Sequence, residues 1–215
     1  MRWIPPLLLV VLLVPALPAV AEPTRAEALA ALTEPSSDAD VRRRAALWLA
    51  QKGLMEDAPA LVEALRDRDA LVRAFAETAL WQVWSRSGDE EVDHLFELGV
   101  EQMSARRGDL AVETFTRVIE RRPGFAEGWN KRATVYYLLG QYEKSLADCD
   151  EVLKRNPHHF GALSGYGMIY LQLDQPARAL EYFEKALGVN PNLSSVSETV
   201  EALKALLIKK RKDTI

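Results

Sequence analysis

Pro123, Pro157 and Pro191 stand 34 residues apart, twice in succession. A proline stops an α-helix, because its ring removes a backbone donor and clashes with the preceding turn. A stop at that interval leaves room for two helices and their turns, the length of a helix-turn-helix repeat. Placing the prolines in one register gives units 92–125, 126–159 and 160–193, and the other positions then agree in phase. In the first helix of each unit a large slot holds Leu95, Trp129 and Leu163, a small slot Gly99, Ala133 and Gly167, and an aromatic slot Gln102, Tyr136 and Tyr170. In the second helix a small slot holds Ala111, Ser145 and Ala179, followed by Phe115, Cys149 and Phe183, then Val118, Val152 and Ala186. Small residues let two antiparallel helices approach closely, and Phe115, Trp129, Tyr136 and Phe183 are expected to fill the gaps between pairs.

These slots resemble the W-x2-L-G-x2-Y, A-x3-F, P pattern of the tetratricopeptide repeat (TPR) family, most closely in the third unit and least in the first. Where the family places Leu before its small residue, this chain has Leu98, Arg132 and Tyr166. The resemblance implies that the first helix of each unit lines a concave groove. The lining would be Phe96, Val100 and Met103 from the first unit, Asn130, Thr134 and Tyr137 from the second, and Ser164, Met168 and Leu171 from the third. Some family members hold a terminal carboxylate with Lys, Arg and Asn. The corresponding positions here are Phe96, Val100, Lys131, Gly161 and Gly165, of which only Lys131 fits.

Upstream, Val41-Arg42-x-x-Ala45-x-x-x-Leu49 recurs 31 residues later as Val72-Arg73-x-x-Ala76-x-x-x-Leu80, each copy after a shorter apolar helix. This looks like a HEAT-type repeat, whose arginine after valine bonds between neighbouring units. Residues 22–86 are therefore expected to form two HEAT-like pairs, and the polar stretch 85–91 to end one array and cap the next. At the other end Ser195-x-x-Glu198 has the capping-box spacing, and Val196, Val200, Leu203 and Leu207 follow at helical intervals. Residues 194–215 thus form a capping helix with a basic tail. The fold class is all-α: a right-handed α-solenoid of two HEAT-like pairs, three TPR units and that cap.

Residues 1–21 begin Met1-Arg2, run without charge from Trp3 to Ala21 and close on Ala19-Val20-Ala21 before Glu22. That is the composition of a secretory signal peptide, with an uncleaved membrane anchor as the alternative. Pro5, Pro6, Pro15 and Pro18 disfavour the long helix that an anchor needs. Export, to a bacterial periplasm, fits a chain with one cysteine, which also excludes an intramolecular disulfide.

A formal charge of -4 offers no general attraction for nucleic acid. Nucleophile motifs, phosphate loops and paired histidines at ligand spacing are absent, so no cofactor, metal or catalytic residue is expected. His158 and His159 are expected in a solvated turn, and Cys149 as buried filler. The sequence therefore reads as a non-enzymatic interaction module, an exported scaffold or assembly factor that takes a protein or peptide segment into its groove. The competing class is an accessory subunit or metal-dependent enzyme of the cell envelope, built on His158 and His159. The basic run at residues 209–212 adds the option of peripheral membrane contact.

Overall fold

A computed structural model describes residues 22–34 and 36–213, so the apolar segment 1–21 lies outside the described residues. The described chain is entirely helical. Its first block comprises α1 (Arg25–Thr33), α2 (Ala39–Lys52), a single 3-10 turn (Met55–Asp57), α3 (Ala58–Ala64) and α4 (Ala70–Trp84). Three helix pairs follow: α5 (Glu90–Ser104) with α6 (Gly108–Arg121), α7 (Ala126–Leu138) with α8 (Tyr142–Arg155), and α9 (Phe160–Gln172) with α10 (Pro176–Val189). The last helix, α11 (Ser194–Asp213), packs on α10. It starts two residues earlier than a cap at Ser195 implies, since Ser197 N donates to Leu193 O at 2.9 Å.

Local chemistry starts these helices. Thr24 and Glu27 form a reciprocal capping box on α1, Thr24 N donating to the Glu27 carboxylate at 2.7 Å. Asp69 and Asp89 accept from the first backbone N–H groups of α4 and α5 at 3.0–3.2 Å. The turns inside the three pairs are also in register: Arg106, Gly140 and Asp174, again 34 apart, all adopt positive φ, at 58°, 71° and 52°. A left-handed residue there lets each pair double back.

The pairs close through complementary volumes. An added Cβ at Gly99 would lie 2.6 Å from the Phe115 ring, and one at Gly167 would lie 2.5 Å from the Phe183 ring. The second unit reverses both sizes, placing Ala133 on α7 and Cys149 on α8. Trp129 departs from the expected packing. It is half-buried, outside the core clusters, with its indole N–H on Pro123 O at 3.0 Å and its ring between Arg132 (5.1 Å) and Arg155 (4.7 Å). Arg132 stands where Leu is usual and binds Asp148 through two 2.8 Å hydrogen bonds, which replaces an apolar contact by a bidentate ion pair.

Instead of extending the stack beyond α5, the N-terminal block folds back along the row of inter-unit turns. Trp81 and Trp84 pack on Phe160 at centroid distances of 5.2 and 5.1 Å, bringing a residue of the third unit into the N-terminal core. Farther along, Arg73 donates to Asn192 at 2.9 Å, Asn192 donates to Leu65 O at 2.7 Å, and Arg66 reaches the carbonyls of Gly188 and Val189. Arg42, 2% exposed, joins α2 to the turn before α4 through Asp67 at 2.7 and 3.0 Å. The two arginines of the 31-residue repeat therefore each tie one layer to the next.

Two glycines two residues apart on α9 separate packing from mere helicity. Gly167→Leu forces a side chain into the buried Phe183 ring and should cost about 1–3 kcal/mol or more. A Cβ at Gly165 meets only Cys149 Sγ, at an ordinary 3.7 Å, with the cavity beyond it, so Gly165→Leu should leave the thermal melt unchanged or raise it. Equal melting shifts for the two variants would refute this register.

Candidate functional site: a concave pocket over a buried polar seam

Where α7, α8 and α9 meet, the first helices enclose a cavity of about 270 Å³. Its wall includes Asn130, Thr134, Tyr137, Ser164 and Met168, five of the nine residues named from the sequence, which the structure brings together. Small residues make the space: Ala133, Ser145, Cys149, Gly161 and Gly165 also line it, and no charged side chain does. Met168 is 43% exposed at the rim. Tyr137 is half-buried, and its hydroxyl accepts from Gln172 Nε2 at 3.4 Å.

The other four expected lining residues are placed elsewhere. Phe96 is buried and packs against Phe125 (5.3 Å) and Phe115 (5.8 Å), because an apolar ring at that slot gains more from the adjoining turn than from an open groove. Val100 and Met103 pack against the same first-unit core, and Met103 also borders a separate cleft with Val135, Leu138 and Leu139. Leu171 packs against the core of the second and third units.

Beneath the pocket lies a polar seam that pattern reading missed. Glu127, in the first turn of α7, is fully buried. Its carboxylate meets His159 Nε2 at 2.8 Å, Lys131 Nζ at 3.0 Å and the Asn130 amide at 3.1 Å. His159 Nδ1 accepts from Ala162 N at 3.1 Å, so the ring proton resides on Nε2 and points at Glu127. The imidazole is stacked on Trp84 at 4.6 Å, while Lys131 lies 5.8 Å from the Trp81 ring. Burial alone would raise the Glu127 carboxyl, but the His159 hydrogen bond and the Lys131 charge outweigh it and hold it below the usual carboxylate range.

This corrects the expectation of a solvated histidine pair. His158 is exposed, whereas His159 is fully buried with both ring nitrogens engaged, so the two diverge and His159 has no lone pair left for a metal. Among the described residues no cluster of three or more His, Cys, Asp or Glu is arranged to hold a metal ion. Cys149 is buried, and that burial pushes its thiol up to about 12, far from a reactive thiolate. One signal for the seam was present in the sequence. Glu127 and Lys131 have i, i+4 spacing, and Glu127 and His159 flank successive turns almost one repeat apart.

A stack of antiparallel helix pairs around a concave pocket defines an α-helical repeat protein. Residues 124–191 match the tetratricopeptide repeat family. A TPR repeat-containing protein of Rhizobium etli is 30% identical over 138 residues, covering 64% of this chain and 68% of the relative. The chain belongs to the tetratricopeptide-repeat family. It spans far less of larger relatives, such as 14% of anaphase-promoting complex subunit 7 of Dictyostelium discoideum, which is 34% identical over 83 residues, 39% of this chain. Among solved structures, the first TPR of Spaghetti (RPAP3) bound to HSP90 peptide SRMEEVD shares the fold, with TM-score 0.53 and 20% identity over 55% of this chain and 94% of that one. The Yersinia enterocolitica type III secretion translocator chaperone SycD does so with TM-score 0.53 and 16% identity over 54% and 94%.

Glu127→Gln keeps the shape of the seam and removes its charge. It should destabilise by about 1.5–3 kcal/mol at pH 7, the scale of a hydrogen bond to a charged group. A depressed folded-state carboxyl contributes stability that is present above the unfolded value near ~4.3 and lost as pH falls through the folded value. The deficit of the variant should therefore be full at neutral pH and shrink below about pH 4. Denaturant melts at several pH values check it; a deficit that does not vary with pH would exclude the charged seam.

Proposed function

We propose that the protein is an exported, non-enzymatic scaffold or assembly factor that binds a peptide segment of a protein partner in the concave pocket, through apolar burial. The observation that carries this is the uncharged cavity, roofed by Met168 and Tyr137 and floored by small residues. At about 270 Å³ it lies just under the range of small-molecule sites and suits one large anchoring side chain of an extended or helical segment. Lys131, the one residue at a carboxylate-holding position, already neutralises Glu127, which favours an apolar anchor over a chain terminus. A fold neighbour holding a peptide is consistent with this use.

Within the same proposal, the N-terminal block is a pair of HEAT-like repeats, supported by the 31-residue spacing of Arg42 and Arg73 and their layer-joining bonds. Residues 1–21 act as a cleaved signal peptide that delivers the protein to the periplasm. No described helix is long and apolar enough to cross a membrane. Intact mass of the exported protein should show Glu22 as its first residue; retention of residues 1–21 in a membrane fraction would refute cleavage.

Binding to an immobilised peptide array tests the pocket. Peptides carrying a large apolar anchor should be retained, with affinity nearly independent of salt. Tyr137→Ala and Met168→Ala should each weaken retention by about 1–2 kcal/mol, and Gly165→Leu, which puts a side chain into the cavity, should abolish it. A chain ending at Ile208 should bind normally. Loss in that truncation with full binding by Gly165→Leu would move the interaction to the basic tail.

A further inference from the structure

A second cleft, of about 290 Å³, opens where the end of α4 crosses the first inter-unit turn. It is separate from the concave pocket and shares no residue with it. Its wall holds three arginines, Arg86, Arg122 and Arg155, together with Trp84, Phe125 and the turn residues Gly124 and Ala126, and no acidic side chain. Arg86 donates to the neutral carbonyls of Ala50 and Gly53 and makes no ion pair among the described residues, while Asp93 and Glu97 line a neighbouring cleft with it. Arg155 binds Pro123 O at 2.5 Å and Glu151 at 2.6 Å. The Arg122 side chain has no hydrogen-bond or ion-pair partner among the described residues, only its backbone being bonded, to Val118 and Phe125.

The repeat register makes Arg122 stand out. The same slot, immediately before the stop proline, is Asn156 and Asn190 in the other two units. Both asparagines are buried, and each side chain accepts a backbone N–H two residues on, at 3.2 and 3.0 Å, closing its own turn. In the first unit that turn-closing residue is replaced by a long exposed cation facing a cleft that already contains two others. Packing does not explain the exchange, since Arg122 is exposed. Trp84, whose buried indole N–H has no partner among the described residues, and the uncapped start of α7 at Ala126 also border the cleft.

We propose that this cleft binds an oxyanion, of carboxylate or phosphate type and bearing more than one charge, with Arg122 as the principal bidentate contact and Arg86 supplying the balancing charge. Two of its three guanidiniums, those of Arg86 and Arg122, make no ion pair among the described residues, no acidic side chain lines the cleft, and planar guanidinium matches the geometry of both oxyanions. Its volume admits a small polyanion and excludes a folded domain.

Calorimetric titration of the full chain with citrate and, separately, with inorganic pyrophosphate at low salt tests the site and distinguishes the two chemistries. Saturable one-site binding of at least one anion is expected, and Arg122→Gln should weaken it about tenfold, the effect of losing one charge-assisted pair. Arg117→Gln, an exposed arginine of α6 outside the cleft, removes the same charge and should leave the affinity within about twofold. Unchanged melting temperatures in both variants establish that the fold is intact. Absence of saturable binding by either anion, or equal weakening by the two variants, would overturn the proposal.

Discussion

The close approach of two helices at one small slot governs the rest of this molecule. In the outer units that approach is absolute: Gly99 and Gly167 face phenylalanine rings at distances that admit no Cβ. The middle unit solves the same problem with Ala133 and Cys149, one side gaining a methyl group and the other losing a ring. The exchange loses buried volume on α8, and the lost volume borders the concave pocket, whose wall contains both residues. Protein interiors are packed densely enough that such a change is felt locally. The candidate binding pocket is in this sense a by-product of how one repeat satisfies a packing rule shared by all three.

A second constraint holds the assembly together across its layers. Glu127 would be costly to bury alone, because a desolvated carboxylate must be paired and hydrogen-bonded. Asn130 and Lys131 from the start of the second unit and His159 from its end satisfy it, and the tryptophans of α4 cover the result. Replacing one member leaves the others unsatisfied, which makes the seam a determinant of register: only one placement of α4 along the turns puts Trp84 on His159 and Trp81 beside Gly161 and Lys131.

The helical stack was legible from the primary structure because its cause is periodic. Prolines, small slots and rings recur every 34 residues and need no knowledge of distant contacts. The groove was legible only where the same periodicity is left uncovered: Asn130, Thr134, Tyr137, Ser164 and Met168 line the cavity, while Phe96 at the same slot turns into the core. A slot specifies the direction of a Cα–Cβ bond and not what lies beyond it. The coverage of Phe96 depends on Phe125, and the burial of His159 depends on Trp84, a residue 75 positions earlier. Turn histidines are ordinarily solvated, and no local pattern announces that another array will fold over them.

That return of the N-terminal block has a mechanical consequence for binding. A repeat stack touches only its neighbours, so its curvature is otherwise set by small rotations that each pair can vary. Here α4 and its flanking turns contact the second and third inter-unit turns through Trp84 at one end and Arg66 and Arg73 at the other. Bending the stack would have to stretch those contacts together. In the proposed function this matters because Tyr137 on α7 and Met168 on α9 border one cavity, and a pre-organised pocket does not spend binding energy on ordering itself. A rigid strut along the turns and an apolar notch on the inner face are thus parts of one arrangement, the first fixing the geometry that the second needs.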